Sequence, residues 1–99
     1  MKDSLNYRYE VVVVLNPKAE LKEKEKSLKL IEEEIGKLGY ELEKREDLGT
    51  KTLAYEIAGS QKGDFWVFTI GGREAIKSKD FTLFLNREKN IIRYLILKI

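Results

Sequence analysis

The first run of apolar residues is apolar on both sides for half its length. Over residues 8–15, Tyr9, Val11, Val13 and Leu15 interleave with Arg8, Glu10, Val12 and Val14. Valine-rich and bounded by a polar leader and by Asn16-Pro17, this segment predicts a strand. The pattern then changes period. Leu21, Leu28, Ile31, Ile35 and Leu38 recur seven, three, four and three apart, one stripe of a helix, supported by Glu20/Lys24, Glu25/Lys29 and Glu33/Lys37 at i, i+4. Asn16-Pro17 or a point nearer Ala19 opens this helix, and Gly39 stops it. Residues 40–57 read as extended, with Tyr40 and Leu42 at one end and Leu53, Tyr55 and Ile57 alternating at the other. Gly49 between them predicts a bend or bulge. A polar loop over 58–63 leads into a third strand over 64–70, which Gly71-Gly72 is expected to break. Ile76, Phe81, Phe84 and Leu85 predict a second helix within 73–86, and residues 91–98 form a last strand.

Strand, helix, strand, strand, helix, strand is the split βαβ order of the ferredoxin-like α+β class (βαββαβ). Right-handed crossovers put both helices on one face of a four-stranded antiparallel sheet. The other face should then be polar if it only meets water. Alternation sends Tyr9, Val11, Val13, Leu15, Trp66, Phe68, Ile70, Tyr94 and Ile96 toward the helices. It leaves Val12, Val14, Phe65, Val67, Leu95 and Leu97 outward, with Arg8 and Arg93 at their rim. An outward apolar patch of this kind marks a binding surface, the alternative being an aliphatic sheet face that is tolerated or covered by the chain's own loops.

The chain is 99 residues long with 42% hydrophobic residues, enough for one core and one domain over residues 1–99. Nineteen basic and 17 acidic residues leave a net charge of only +2, so any RNA contact must be local rather than a bulk polycation effect. With no cysteine and no histidine, thiol and imidazole chemistry and the usual zinc ligands are excluded. No apolar run reaches the ~20 residues that cross a bilayer, and no signal segment opens the chain, so the expectation is a cytoplasmic protein without membrane contact.

The remaining motifs argue against catalysis and against base stacking. Glu32, Glu33 and Glu34 are consecutive on a helix and diverge, while Glu43, Glu46, Asp47 and Glu56 are spread along one extended segment. Gly71-Gly72-Arg73 lacks the further glycines and the lysine of a phosphate loop. Lys62-Gly63-Asp64-Phe65-Trp66 has the wrong register for an RNA-recognition motif, which needs an aromatic where Asp64 stands, and Val12 and Val14 hold the centre of the first strand in place of aromatics. Among the basic residues near strand ends and loops, Lys2, Arg8, Arg45, Lys51, Lys62, Arg87, Lys89 and Arg93, the pair Arg8 and Arg93 is singled out. Neighbouring strands place both on the open face, where they are expected to act on one phosphate or edge one interface.

Tyr9-Glu10, Leu15-Asn16-Pro17, Leu48-Gly49 with Leu53-Ala54-Tyr55, Gly63 and Asn90-Ile91-Ile92-Arg93-Tyr94 occur in an order and spacing that resemble one family across residues 7–98. That family is the sixth protein of the bacterial small ribosomal subunit, whose members typically carry YE, LNP, LG-LAYPI, G-Y and an R-V-type final strand. Glu56 departs from the family proline after LAY, and Asp64 from the aromatic after the hairpin glycine. The resemblance implies a structural constituent of the small subunit and no enzyme or cofactor. It implies binding to the central domain of small-subunit ribosomal RNA as a heterodimer with the eighteenth small-subunit protein. In that reading Val12, Val14, Phe65, Val67, Leu95 and Leu97 dock the partner, Arg8, Lys51 and Arg93 contact phosphates, and the isolated chain is a monomer. Many members also have a C-terminal tail that helps hold the partner, and here Ile99 follows directly on the last strand. The alternative on the same fold is a homodimeric regulatory or ligand-binding module with two sheets face to face. An acylphosphatase-like activity would need an arginine-bearing phosphate loop after the first strand, and Asn16-Pro17-Lys18-Ala19 contains none.

Overall fold

A computed structural model describes the backbone of residues 7–57, 60–76 and 78–99, and the side chains of these apart from residues 54–57, 60 and 78. The elements are β1 (Tyr7–Leu15), α1 (Leu21–Lys37), β2 (Glu41–Ile57), β3 (Ser60–Gly72), α2 (Ser78–Arg87) and β4 (Ile91–Lys98). One antiparallel sheet runs in the order β2-β3-β1-β4, the ferredoxin-like arrangement.

Pairing across three registers lines the residues up in rows. Asp47, Trp66, Val13 and Tyr94 form one row and Arg45, Phe68, Val11 and Ile96 another, both on the helix side. Val11, Val13, Leu15, Phe68 and Ile70 pack there against Leu28, Ile31 and Ile35 of α1 and Phe81 and Leu85 of α2. Leu28, Ile31 and Ile35 of the predicted α1 stripe are thus buried and Leu38 partly so, whereas Leu21 in the first turn is 73% exposed; the inward assignment made for β1, β3 and β4 holds. Burying these side chains is worth roughly 1.5–3 kcal/mol each, which makes this layer the main source of stability.

Boundaries differ from expectation where backbone chemistry intervened. Asn16 does not cap α1: its Oδ1 accepts the Lys18 N–H at 3.0 Å and its carbonyl accepts the Ala19 N–H at 3.1 Å, a side-chain-closed turn that delays the helix to Leu21. Gly39 ends it at φ 81°, as the sequence indicated. Gly71-Gly72 does not break β3, since Gly71 and Gly72 pair with Arg8 and Tyr7. Gly72 is required for close approach: a Cβ there would sit 2.7–2.8 Å from Tyr40 ring carbons. The Tyr40 hydroxyl donates to the Glu74 carbonyl and its ring lies 6.1 Å from that of Tyr9. Burial, followed by the neighbouring Tyr9, Tyr7 and Glu74, pushes this phenol from 10.0 up to about 12. β3 also starts four residues earlier than the expected strand, and α2 begins at Ser78 rather than near Arg73. Ala58 and Gly59 of the expected hairpin loop lie outside the described residues, as does Lys2.

Candidate partner and nucleic-acid interface

The open face is built from the alternate rows. Gly49, Phe65, Val14 and Arg93 form one row, Glu46, Val67, Val12 and Leu95 the next, then Lys44, Thr69, Glu10 and Leu97. All six residues of the expected apolar patch therefore share one face. They are not equally available. Leu95 and Leu97 are 54% and 43% exposed and Val12 and Phe65 half-buried, but Val14 is 3% and Val67 8% exposed. Val67 is enclosed at the centre of the sheet. Val14 is covered by the chain's own hairpin: its Cγ1 would stand 2.3 Å from a Cβ at Gly63, beside Leu53 and Phe65. Gly49, at φ 83° in a register shift of β2, brings Leu53 to this position. A groove of about 430 Å³ remains, lined by Val12, Val14, Leu53, Phe65, Arg93 and Leu95. Thr52 and Tyr94 line it too; with Leu53 they were missed by sequence reasoning, and for Leu53 the bulge glycine was the signal.

The three basic residues do not converge. Arg93 pairs with Val14, six positions along β1 from Arg8, a separation of roughly 20 Å at ~3.3 Å per residue. Arg8 and Arg93 consequently cannot act on one phosphate, which corrects the expectation drawn from adjacent strands. Arg8 instead reaches over Gly71, which has no side chain, to make a two-point ion pair with Glu43 at 2.6 and 3.2 Å. Lys51 pairs with Gly63 and so belongs to the open face, at the same end as Arg93 but three strands away on the opposite edge.

Asp64, one of the two departures from the family pattern, faces the helices and not the open face. Its carboxylate accepts from Lys24 of α1 and from Thr50 of β2. Partial burial alone would raise this carboxyl, but those hydrogen bonds and the Lys24 charge outweigh it and hold the group below the ordinary aspartate value of 3.8. Asp64 thus fastens the hairpin to α1. Arg45 does so nearby, pairing with Glu32 at 2.5 Å and lying 5.4 Å above the Trp66 ring. Lys24, Arg45, Thr50, Asp64 and Trp66 line a depression of about 560 Å³ between α1 and the hairpin, where Glu25, Asp47 and Asp64 offset Lys24, Lys29 and Arg45. The side chain of Glu56, the other departure, lies outside the described residues. Among the described residues there is no acidic cluster with metal-binding geometry, and no helix is long and apolar enough to cross a membrane.

Fold and surface define a small ferredoxin-like binding domain whose distinctive features are an open sheet face and two sheet edges. Comparison with known proteins takes this one step further. The chain belongs to the ribosomal protein S6 family, whose model matches residues 8–98. The small ribosomal subunit protein bS6 of Thermus thermophilus is 31% identical over 91 residues, covering 92% of this chain and 89% of that protein. Its counterpart from Deinococcus deserti is 27% identical over 93 residues, covering 92% and 88%. A crystal structure of 30S ribosomal protein S6 from Thermotoga maritima superposes with a TM-score of 0.85 at 21% identity, covering 94% of this chain and 87% of the other, and so shares the fold. Family membership makes the chain a structural constituent of the small ribosomal subunit in the cytoplasm, and not an enzyme.

Proposed function

We propose that this chain binds the central domain of small-subunit ribosomal RNA as a heterodimer with the eighteenth small-subunit protein, and that the open sheet face docks that partner. The observation that supports this best is the 430 Å³ groove: apolar on its floor through Val12, Phe65 and Leu95, with the Arg93 cation at its margin, on a member of a ribosomal family. Val12, Val14, Leu53 and Leu95 offer no π-face, and Phe65 alone does not make the row of aromatics on which successive bases stack, so the groove suits a protein side chain better than a nucleotide. Arg93 and Lys51 at one end, and Arg8 at the other, then contact separate phosphates of the RNA. With a net charge of +2 the chain alone has little electrostatic hold on RNA, and affinity comes from the pair.

Gel-shift titration of central-domain RNA with and without the eighteenth protein tests this reading. Binding is expected to be weak alone and tight when the partner is present, with the free chain monomeric on a sizing column. Equal affinity in both titrations, or a face-to-face homodimer in solution, would overturn it.

A further inference from the structure

The hairpin that covers Val14 extends past the strand that supports it. Pairing of β1 with β3 ends at Leu15 and Asp64, whereas β2 and β3 go on pairing through Lys51 with Gly63, Thr52 with Lys62 and Ile57 with Ser60. Beyond Asp64 the hairpin is therefore a two-stranded ribbon with no third strand of the described residues beside it. A ribbon of that kind has little stability of its own.

Two contacts hold it at the point of departure, one on each face. On the open face the Gly63 backbone lies on Val14, so closely that a Cβ at Gly63 would stand 2.3 Å from the Val14 Cγ1, with Leu53 alongside. On the helix face the next residue, Asp64, accepts from the Lys24 ammonium of α1 and, across the β2–β3 pair, from the Thr50 hydroxyl. Only 13% of the Asp64 side chain and 20% of the Lys24 side chain are exposed, so solvent ions screen this pair less than one on the open surface. Thr50 follows Gly49, where β2 resumes its register, and Leu53 is three residues further on. The neighbouring Arg45–Glu32 pair is placed differently. Arg45 stands opposite Phe68, where β1 already supports the sheet.

We propose that the Lys24–Asp64–Thr50 contact is a clasp that positions the wall of the partner groove: by fixing the base of the overhanging hairpin from the helix side, it holds Leu53 and Gly63 against Val14 on the open side. This rests on the reading that the groove docks a partner protein. Asp64 is a positioning residue, since its side chain faces α1 and acts on the groove through Leu53. A wall fixed in advance loses less freedom when a partner docks, and binding is tighter by that difference. Cutting the clasp therefore weakens docking without removing any residue from the docking surface.

Methyl NMR on the whole chain, paired with calorimetric titration of the eighteenth small-subunit protein, tests this. Asp64→Ala and Lys24→Met are each expected to weaken the Leu53–Val14 cross-peaks and to loosen partner binding about tenfold. Lys24→Met leaves both strands untouched and decides the matter if Asp64→Ala does not fold. The two changes together should cost no more than about twofold beyond either alone, and Asp64→Ala should add less than about twofold once Leu53 is alanine. Two controls separate positioning from stability. Ile35→Val, which lowers the melting midpoint from the far end of α1, and Glu32→Gln, which breaks the other ion pair between helix and sheet, should both leave binding within about twofold. Unchanged cross-peaks in the clasp variants, parental affinity in both, or equal losses in the controls would overturn the proposal and leave the docking reading standing. A parent chain that does not bind the partner would overturn the docking reading and the role of the clasp in it together.

Discussion

Gly72 shows how much of this molecule is decided by single atoms. Its missing Cβ makes room for the Tyr40 ring, which is held at one end by the chain and at the other by its hydrogen bond to the Glu74 carbonyl. Gly72→Ala is expected to cost about 1–3 kcal/mol by overpacking, read as a lowered denaturation midpoint with unchanged secondary structure. Asp64 makes a second prediction at this scale. A carboxyl held low in the folded state adds stability that is complete above the ordinary aspartate value and disappears as pH falls through the lower folded value. Asp64→Asn should therefore cost about 1–3 kcal/mol near neutrality, and the difference from the parent should vanish in acid. Urea melts at stepped pH measure it; a constant difference down to pH 2 would show that the carboxylate charge contributes nothing.

At the scale of the strand, adjacent positions were expected to separate the two faces, with Val13 buried and Val14 outward and hydrated. Both are buried, Val13 beneath the helices and Val14 beneath Leu53 and Phe65. A carboxylate at either place is expected to unfold the domain, since burying it costs several kcal/mol against a total of about 5–15. Leu95→Asp is the variant that isolates the open face: circular dichroism and melting should be close to the parent while pull-down of the partner is lost. If Leu95→Asp unfolds the chain, the face is internal packing and the docking surface is lost as an idea.

For the whole molecule, the separation of the basic residues matters more than their number. Arg8→Ala should change stability by no more than about 1 kcal/mol, because its ion pair with Glu43 is solvent-exposed. Arg8→Ala and Arg93→Ala should each weaken incorporation into the small subunit. At roughly 20 Å apart their effects should add within about 0.5 kcal/mol, which a double-mutant cycle on RNA affinity reads directly. Strong non-additivity would restore the single-phosphate arrangement that the strand register excludes.

Element types, their order and the inward side chains of β1, β3 and β4 were determined by the sequence alone, because periods of 2 and 3.6 are local and burial enforces them; the faces of β2 depended on its two register shifts. The ordered YE, LNP, LG-LAY and final-strand motifs likewise carried the family. Which outward residues are actually exposed was decided only by tertiary structure. Alternation says that Val14 and Leu95 share a face, but whether water reaches them depends on where the Gly49 bulge sends Leu53. The same holds for Gly72, a break by composition and a paired strand residue once Tyr40 lies against it. Distance between strands is also non-local: Arg8 and Arg93 are on neighbouring strands, and only the antiparallel register places them at opposite ends of the sheet.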